Sequence, residues 1–386
     1  MRPERIDQVV PSFSGRDAIG THILQLRDVL RGRGFASDIW CEGTFPDVRA
    51  QCRLLSELPA GVRPATWWLY HLSSGSPVAD LIAARPEPVM LDYHNITPGE
   101  LFGSWVPWAV EEATSGRRQL DDLIGVARFS FADSSYNEAE LRRRGATRTR
   151  VVPPLFDAAA LRANPDPDTV ATRREQRSGG GADWLFVGRV TPSKAQHDLV
   201  KALACYRRFY DPKARLHLVG AGMGHDYPRA LRRFAAGLGL GAAVHLTGPV
   251  SDATLAAYYA TADVFVCASD HEGFCVPVVE AMTLGVPVVA FAATAVADTA
   301  ADAALLLDDK SPMELATAVH RVLSDDPLRR ALVAAGEGRG REYSLDASRR
   351  RWEAAIDEAV TAGEPAPGAE AGPGGGAVPA VDRARP

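Results

Sequence analysis

The chain is short of the features that would set it apart from ordinary globular proteins. Its 386 residues include five cysteines, Cys41, Cys52, Cys205, Cys267 and Cys275. The number is odd and no C-x-x-C spacing occurs, which argues against a disulfide framework or a zinc site and fits a reducing compartment. No apolar run reaches the ~20 residues of a bilayer-spanning helix. The opening MRPERIDQVVPSF has no apolar core of the kind a secretory leader needs. A net charge of -5 gives no reason to expect nucleic acid as a partner. Arg142-Arg143-Arg144 and Arg349-Arg350-Arg351 read as solvated helix faces. A cytoplasmic protein is expected. Peripheral contact at the inner face of the membrane stays open, because a local basic patch does not show in net charge. The sequence says nothing of oligomeric state.

What is present is a 46% hydrophobic chain of two-domain length. Short apolar runs alternate with amphipathic stretches. IDQVVPSF, FASDIW, ATWWLYHL, PVMLDYH, FSFADS and TRVVPPL read as strands in the first half. THILQLRDVLRGRG and NEAELRRRG read as helices. The second half repeats the style, with strands DWLFVGRV, ARLHLVGAG, AVHLTGPV, DVFVCAS and VPVVAF. Its helices are QHDLVKALACYRRFY, YPRALRRFAAGLGL, DATLAAYYATA, a stretch over 277–284, and SPMELATAVHRVLSD. Alternation of this kind with continuously apolar strands predicts an α/β fold of parallel sheets covered on both faces. The expected divisions are an N-terminal domain over 1–157, a linker over 158–182 where proline, charge and glycine replace periodicity, and a C-terminal domain over 183–344. The Gly-, Pro- and Ala-rich tail over 362–386 lacks the apolar bulk to order itself.

One stretch, CASDHEGFCVPVVEAMTLGVPVVAF, carries most of the chemistry. A strand ends near Ser269, DHEGFC forms a loop, and Pro277 suits the first turn of a helix that stops at Gly285. Such a loop lies at the carboxyl edge of a sheet, where open α/β folds bind ligands. The amides of Phe274, Cys275 and Val276 fall at the helix start and are free to meet an anion. Glu272 precedes them and Glu280 sits about one turn inside the helix. Carboxylates suit hydroxyls rather than phosphate, so a diphosphate flanked by two sugars would use both acids and the amides together. In LFVGRVTPSKAQHDLV, Arg189 and Lys194 follow another strand and could neutralise a diphosphate without a metal. VVPSFSGRDAIGTHI adds a strand, a loop with Gly15 and Gly20, and a helix. For each of these a purely structural role is the competing explanation.

Together these segments resemble glycosyltransferase family 4, the retaining group 1 glycosyltransferases of the GT-B fold. The likeness runs from about residue 9 to 345. It is densest in FVGRVTPSK, LVGAG, VHLTGPVSDATLAAYYATADVFVCASDHEGF and PVVEAMTLGVPVVAF, which include the family's E-x7-E pattern. The resemblance implies two Rossmann-like domains facing a central cleft, with 345–361 crossing back to the N-terminal domain. It also implies a hexose moved from a UDP- or GDP-linked sugar to a glycan, lipid-linked or small-molecule hydroxyl, with no metal and no cofactor.

On the same resemblance, Arg189 and Lys194 grip the diphosphate, Glu272 contacts the donor sugar, and the amides of Phe274, Cys275 and Val276 hold sugar and phosphate. Glu280 binds the ribose, Gly15 lets the first loop approach the phosphate, and His94, at the end of LDYH, meets the donor sugar from the cleft. Glu272, His94, Arg189 and Lys194 are thus the implied catalytic set. Three positions depart from the family: Ser14 and Ala195 stand where glycine is usual, and so does Cys275, whose backbone is strained if its φ is positive. A non-catalytic nucleotide-sugar-binding scaffold, or another GT-B enzyme such as an epimerase or a phosphorylase, remains an alternative.

Overall fold

The computed structural model describes residues 2–15 and 17–362. The tail expected over 362–386 therefore lies outside the described residues, apart from Ala362. Two parallel sheets organise the chain. The first holds β1 (Arg5–Phe13), β2 (Ile39–Thr44), β3 (Arg53–Leu54), β4 (Thr66–Leu72), β5 (Val89–Tyr93), β6 (Ala127–Ala132) and β7 (Thr149–Val151), in the order β3-β2-β1-β4-β5-β6-β7. The second holds β8 (Asp183–Val187), β9 (Arg215–Val219), β10 (Val244–Gly248), β11 (Val264–Cys267), β12 (Val288–Phe291) and β13 (Leu305–Leu307), in the order β10-β9-β8-β11-β12-β13. Every residue of β4 and β5 is buried, which is why TWWLYHL and VMLDY read as unbroken apolar runs. Strand order reverses at β1/β4 and at β8/β11. Open α/β sheets offer their ligand crevice at the carboxyl ends of such pairs.

The final helix, Leu345–Ala362, packs on the first sheet's side rather than the second's. Trp352, fully buried, anchors it. Its indole N–H donates to the Pro153 carbonyl at 2.9 Å, and its ring lies 4.9 Å from Phe131 and 5.0 Å from His22.

Several elements differ from the sequence reading. The stretch read as a linker contains a helix, Pro167–Ser178, whose N-cap Asp166 accepts from the Thr169 amide at 2.9 Å. This helix is mostly exposed, so it lacks the apolar stripe that would have announced it. β2 starts at Ile39 instead of Phe35, because Ser37 and Asp38 turn to engage Arg31 and the Asp7 carboxylate. Two long helices, Pro107–Val126 and Asp326–Glu342, are not apparent from the sequence pattern. Glycines interrupt both patterns, and both need them for close packing. A Cβ at Gly116 would lie 2.5 Å from the Gly75 nitrogen, and one at Gly340 would lie 2.5 Å from Thr283 Oγ1. Among the described residues no helix is long and apolar enough to cross a membrane.

Candidate active site

The loops singled out by sequence leave the carboxyl ends of β1, β5, β8 and β11. Three of these four strands belong to the reversal pairs. Topology gathers Gly15 and His94 at the carboxyl edge of the first sheet and the 188–195 and 268–275 loops at that of the second. Contacts of His271 and Gly273 with Asn95 and His94 join the two edges.

The helix after β11 runs Val276–Thr283 and is capped by Cys275, which takes the left-handed conformation with φ 74° and ψ 64°. That turn leaves the amides of Phe274, Cys275 and Val276 with no acceptor among the described residues. The fold of the turn is held from below, where the Thr299 hydroxyl donates to the Phe274 carbonyl at 2.7 Å. Glu280 lies one turn along, and the Tyr259 hydroxyl donates to its Oε2 at 2.7 Å. Burial pushes the Glu280 carboxyl up to about 7, and the Tyr259 hydrogen bond only partly opposes it. A carboxyl in that position is poised between a neutral and an anionic form near neutral pH.

Glu272 is clamped by Thr294, whose Oγ1 both accepts from the Glu272 amide and donates to its carbonyl at 2.9 Å. Its Oε2 lies 2.7 Å from Lys194 Nζ. The same ammonium donates to the His271 carbonyl at 3.2 Å. Lys194 is thus tied to the glutamate loop, so an anion drawn to it would compete with Glu272. Arg189 is exposed, and among the described residues no side-chain hydrogen bond or ion pair engages its guanidinium. It is the freer of the two cations. Ala195 follows Lys194 in the left-handed region at φ 48° and is fully buried. Both Ala195 and Cys275 stand where the family usually has glycine, and both have positive φ. The chain keeps the turn in each case at a cost of about 1–2 kcal/mol in backbone strain.

His94 behaves differently from the sequence expectation of a side chain turned to the cleft. Its side chain is 3% exposed and sits in a buried network. Leu155 N–H donates to His22 Nδ1 at 2.9 Å, so the His22 proton is on Nε2, facing Asp92 Oδ2 at 2.9 Å. The Gln8 amide nitrogen is committed to the Ile23 carbonyl, leaving Gln8 Oε1 to accept from His71 Nε2 at 2.9 Å. The lone pair of His71 Nδ1 then faces His94 Nε2 at 3.0 Å, and His94 Nδ1 donates to Asp133 Oδ2 at 3.0 Å. These hydrogen bonds are all made if His94 is the imidazolium, although His71 Nδ1 also lies 3.1 Å from Asp92 Oδ2 and Asp92 Oδ1 is buried without a partner. Burial alone would lower its pKa, but the Asp92 and Asp133 carboxylates outweigh burial and raise it to about 9. Burial holds His71 down at about 4, as a neutral ring.

The donor atoms of His22, His71, Asp92 and His94 lie within 4.8 Å of one another, a spacing that a metal ion could use. The protons argue against one: His22 Nε2 has no lone pair to give while Leu155 N–H occupies Nδ1. A second grouping, Cys267, Glu272 and Cys275, has the Lys194 ammonium on its carboxylate.

The structure also brings in residues that the sequence reading passed over. His271 Nε2 donates to Asn95 Oδ1 at 2.6 Å, and Asn95 Nδ2 donates to Asn137 Oδ1 at 2.7 Å. This chain of bonds ties the glutamate loop to the end of β5. A Cβ on Gly273 would meet the His94 carbonyl at 2.8 Å and Asn95 Cβ at 2.9 Å, so glycine is required where the two loops touch. In the first loop a Cβ on Gly15 would strike Val48 Cγ1 at 2.8 Å, and one on Gly20 would overlap the Ser14 carbonyl oxygen at 1.5 Å. Ser14 can replace a glycine because Gly20 supplies the close approach.

Comparison with known proteins bears on the family and the fold. The family model for glycosyl transferases group 1 matches residues 170–339. The chain is similar to a GDP-mannose-dependent alpha-(1-6)-phosphatidylinositol monomannoside mannosyltransferase of Mycobacterium tuberculosis, at 32% identity over 84% of this chain and 82% of that protein. It is 37% identical to a D-inositol 3-phosphate glycosyltransferase of Geodermatophilus obscurus, over 56% of this chain. The matched region spans about half, 47%, of that relative's length. Among solved structures, HepE of Anabaena in complex with UDP and glucose superposes with a TM-score of 0.73 at 19% identity, covering 92% of this chain and 99% of that one. Sucrose-phosphate synthase from Thermosynechococcus elongatus gives 0.70 at 22% identity, covering 94% and 100%. The fold is GT-B.

Proposed function

Because the chain belongs to the group 1 glycosyl transferases, we propose that it moves a hexose from a nucleotide-sugar to a hydroxyl acceptor, with retention of configuration and without a metal. The observation that carries this reading is the convergence of Arg189, Lys194, the three free amides of 274–276 and the two glutamates at the β8/β11 reversal. Arg189 and Lys194 receive the diphosphate, and the amides at the helix start share its charge. Glu280 accepts from the ribose hydroxyls, and Glu272 from the donor sugar once Lys194 has turned to phosphate. Such a site spends its electrostatics on the leaving group, where charge develops in the transition state.

His94 serves this chemistry from behind. Held as an imidazolium by Asp133 and Asp92, it fixes the end of β5, whose carbonyl meets Gly273. Its charge is balanced by the two carboxylates that hold it. The acceptor approaches from the first sheet's side. A glycan, a lipid-linked saccharide or a small polyol all fit that role. UDP, bound by HepE, and GDP-mannose, used by the mycobacterial relative, are the donor types to try first. The enzyme would work in the cytoplasm, on soluble acceptors or at the inner membrane face.

The test is calorimetric titration with UDP, GDP, ADP and dTDP in the presence of a chelator, followed by product analysis with the matching nucleotide-sugar. Micromolar binding of one nucleotide and a glycosylated product support the reading. Binding without any turnover would favour the scaffold alternative, and a rearranged or phosphorolysed sugar would favour an epimerase or a phosphorylase.

A further inference from the structure

A cavity of about 290 Å³ opens away from the crevice, between the Pro167–Ser178 and Asp252–Thr261 helices and strands β9 and β10. It lies beside Asp183, the first residue of β8, whereas the crevice loops leave the far ends of the strands. Along β9, Leu216 and Leu218 enter the apolar core and His217 faces the other way. The register pairs His217 with His245 of β10, and their rings stack at 4.8 Å and 4°. The Tyr258 ring stands 5.7 Å from His217, and the Arg173 guanidinium lies 5.6 Å above Tyr258. Thr172 and Asp168 complete the polar wall.

Three atoms of these lining residues are buried without any hydrogen-bond partner: Arg173 Nε, His217 Nδ1 and His245 Nε2. Each such orphan costs about 1–3 kcal/mol, and a sheet face with leucine at these positions would avoid the loss. Three around one cavity mark a place whose partners come from outside the chain.

The chemistry of those partners follows from the wall. His217 Nε2 lies 3.3 Å from Asp183 Oδ1, to which it donates, so Nδ1 presents a lone pair. Burial lowers the pKa of both rings, His217 to about 4, and keeps them neutral. Arg173 Nη2 pairs with Asp183 at 3.0 Å, a carboxylate shared with Arg215 at 2.7 Å, and Nη1 donates to Gln176 at 2.6 Å, which leaves Nε–H without a partner. An anion would meet the ring lone pairs and could not be gripped by the guanidinium fork. A metal ion would meet the Arg173 charge, and this pair of rings is not among the clusters spaced for one. A hydroxyl group does both things required, donating to His217 Nδ1 and accepting from Arg173 Nε–H. The face of Tyr258 suits the apolar side of a sugar ring. The volume is at the small end for ligand sites and holds one ring.

We propose that this cavity is a second ligand site, which takes a neutral hydroxylated ring of the size of one sugar residue. It stands apart from the transfer site and does not depend on the transferase reading. The partly exposed His245 and Tyr258 rings form its outer wall, and they must turn aside for a ligand to reach the buried atoms.

The test uses saturation-transfer NMR on the full chain with methyl α-D-glucopyranoside and methyl α-D-mannopyranoside as probes, and with inorganic phosphate titrated in a parallel sample. The expected result is a transfer signal for at least one glycoside that survives Lys194→Ala in the crevice. That signal should be lost in His245→Phe and in Tyr258→Ala, while phosphate leaves the His217 and His245 imidazole resonances unmoved. His245→Phe keeps the stack and removes an orphan, so its melting temperature should equal or exceed that of the wild type, which separates loss of binding from loss of fold. No glycoside signal, a signal that the cavity variants leave unchanged, or phosphate binding at the two rings would overturn the proposal. In the first case the cavity holds only water.

Discussion

Glu280 offers the sharpest perturbation, because the structure makes its effects on binding and on stability opposite in sign. The carboxyl is raised from 4.5 to about 7 by burial. In the folded protein without nucleotide, an anion there is disfavoured. Its contribution to stability is full below the unfolded pKa and is lost as pH rises through 7, by at most about 3 kcal/mol. If the carboxylate accepts from ribose hydroxyls, nucleotide binding needs the anion. At about pH 6 most of the protein must first lose that proton, so affinity falls about tenfold per unit below 7 and levels off above it.

Glu280→Gln keeps the shape and an acceptor while removing the charge. Replacing a charged hydrogen bond by a neutral one should weaken nucleotide binding by about 1 kcal/mol or more, roughly five- to tenfold, at about pH 8. At about pH 6 the two proteins should bind nearly alike. The nucleotide phosphate itself titrates near about 6, and the variant retains only that dependence. Calorimetry at the two pH values, with thermal melts of the same samples, gives both readouts. The variant should melt higher than the wild type above neutral pH. Equal affinities at about pH 8, or a variant that melts lower there, would refute the reasoning and make Glu280 a purely structural partner of Tyr259.

The other predictions concern single contacts. Arg189→Ala and Lys194→Ala should each lower turnover of the nucleotide-sugar by ~10²–10³, as loss of a donor to developing charge does; steady-state kinetics at saturating donor checks this. Cys275→Gly should be more stable to denaturant than Cys275→Ala by about 1 kcal/mol, because both lose the thiol and only glycine relieves the left-handed turn. Asp133→Asn should lower the His94 pKa from about 9, read by NMR titration of its ring. Stability from that proton, present below the histidine's unfolded pKa and lost as pH rises through 9, should shrink with it. Gly273→Ala should destabilise the protein by about 1–3 kcal/mol, because its Cβ meets the His94 carbonyl and Asn95; urea melts measure it.

How much of this was legible in sequence depended on whether a residue's reason was local. Glu272 and Glu280 could be placed because a strand, a proline at a helix start and a terminating glycine bracket them. β4 and β5 could be placed because burial on both faces leaves an unbroken apolar run. The helices Pro107–Val126 and Asp326–Glu342 were lost because the glycines in them answer to distant partners, Gly75 and the Val276–Thr283 helix. His94 was correctly placed at a strand end, but its environment was hidden. Gln8, His22, His71, Asp92 and Asp133 come from four strands or their ends and one helix, and only the parallel order of the first sheet brings them together. The signal was present as three polar residues inside apolar strands, Gln8, His71 and Asp92. Buried polar groups in strands need partners. The family's glycine pattern, in turn, becomes intelligible only with backbone angles, since Ala195 and Cys275 occupy the positive-φ turns that glycine usually fills.

The measurement closest to the central claim is the anomeric configuration of the product formed from a UDP- or GDP-hexose in the presence of a chelator, followed by NMR. The account predicts a new glycosidic signal of the donor's own configuration, undiminished by the chelator and reduced at least a hundredfold in Arg189→Ala. An inverted product, or turnover that disappears with the chelator and returns on adding a divalent ion, would contradict it.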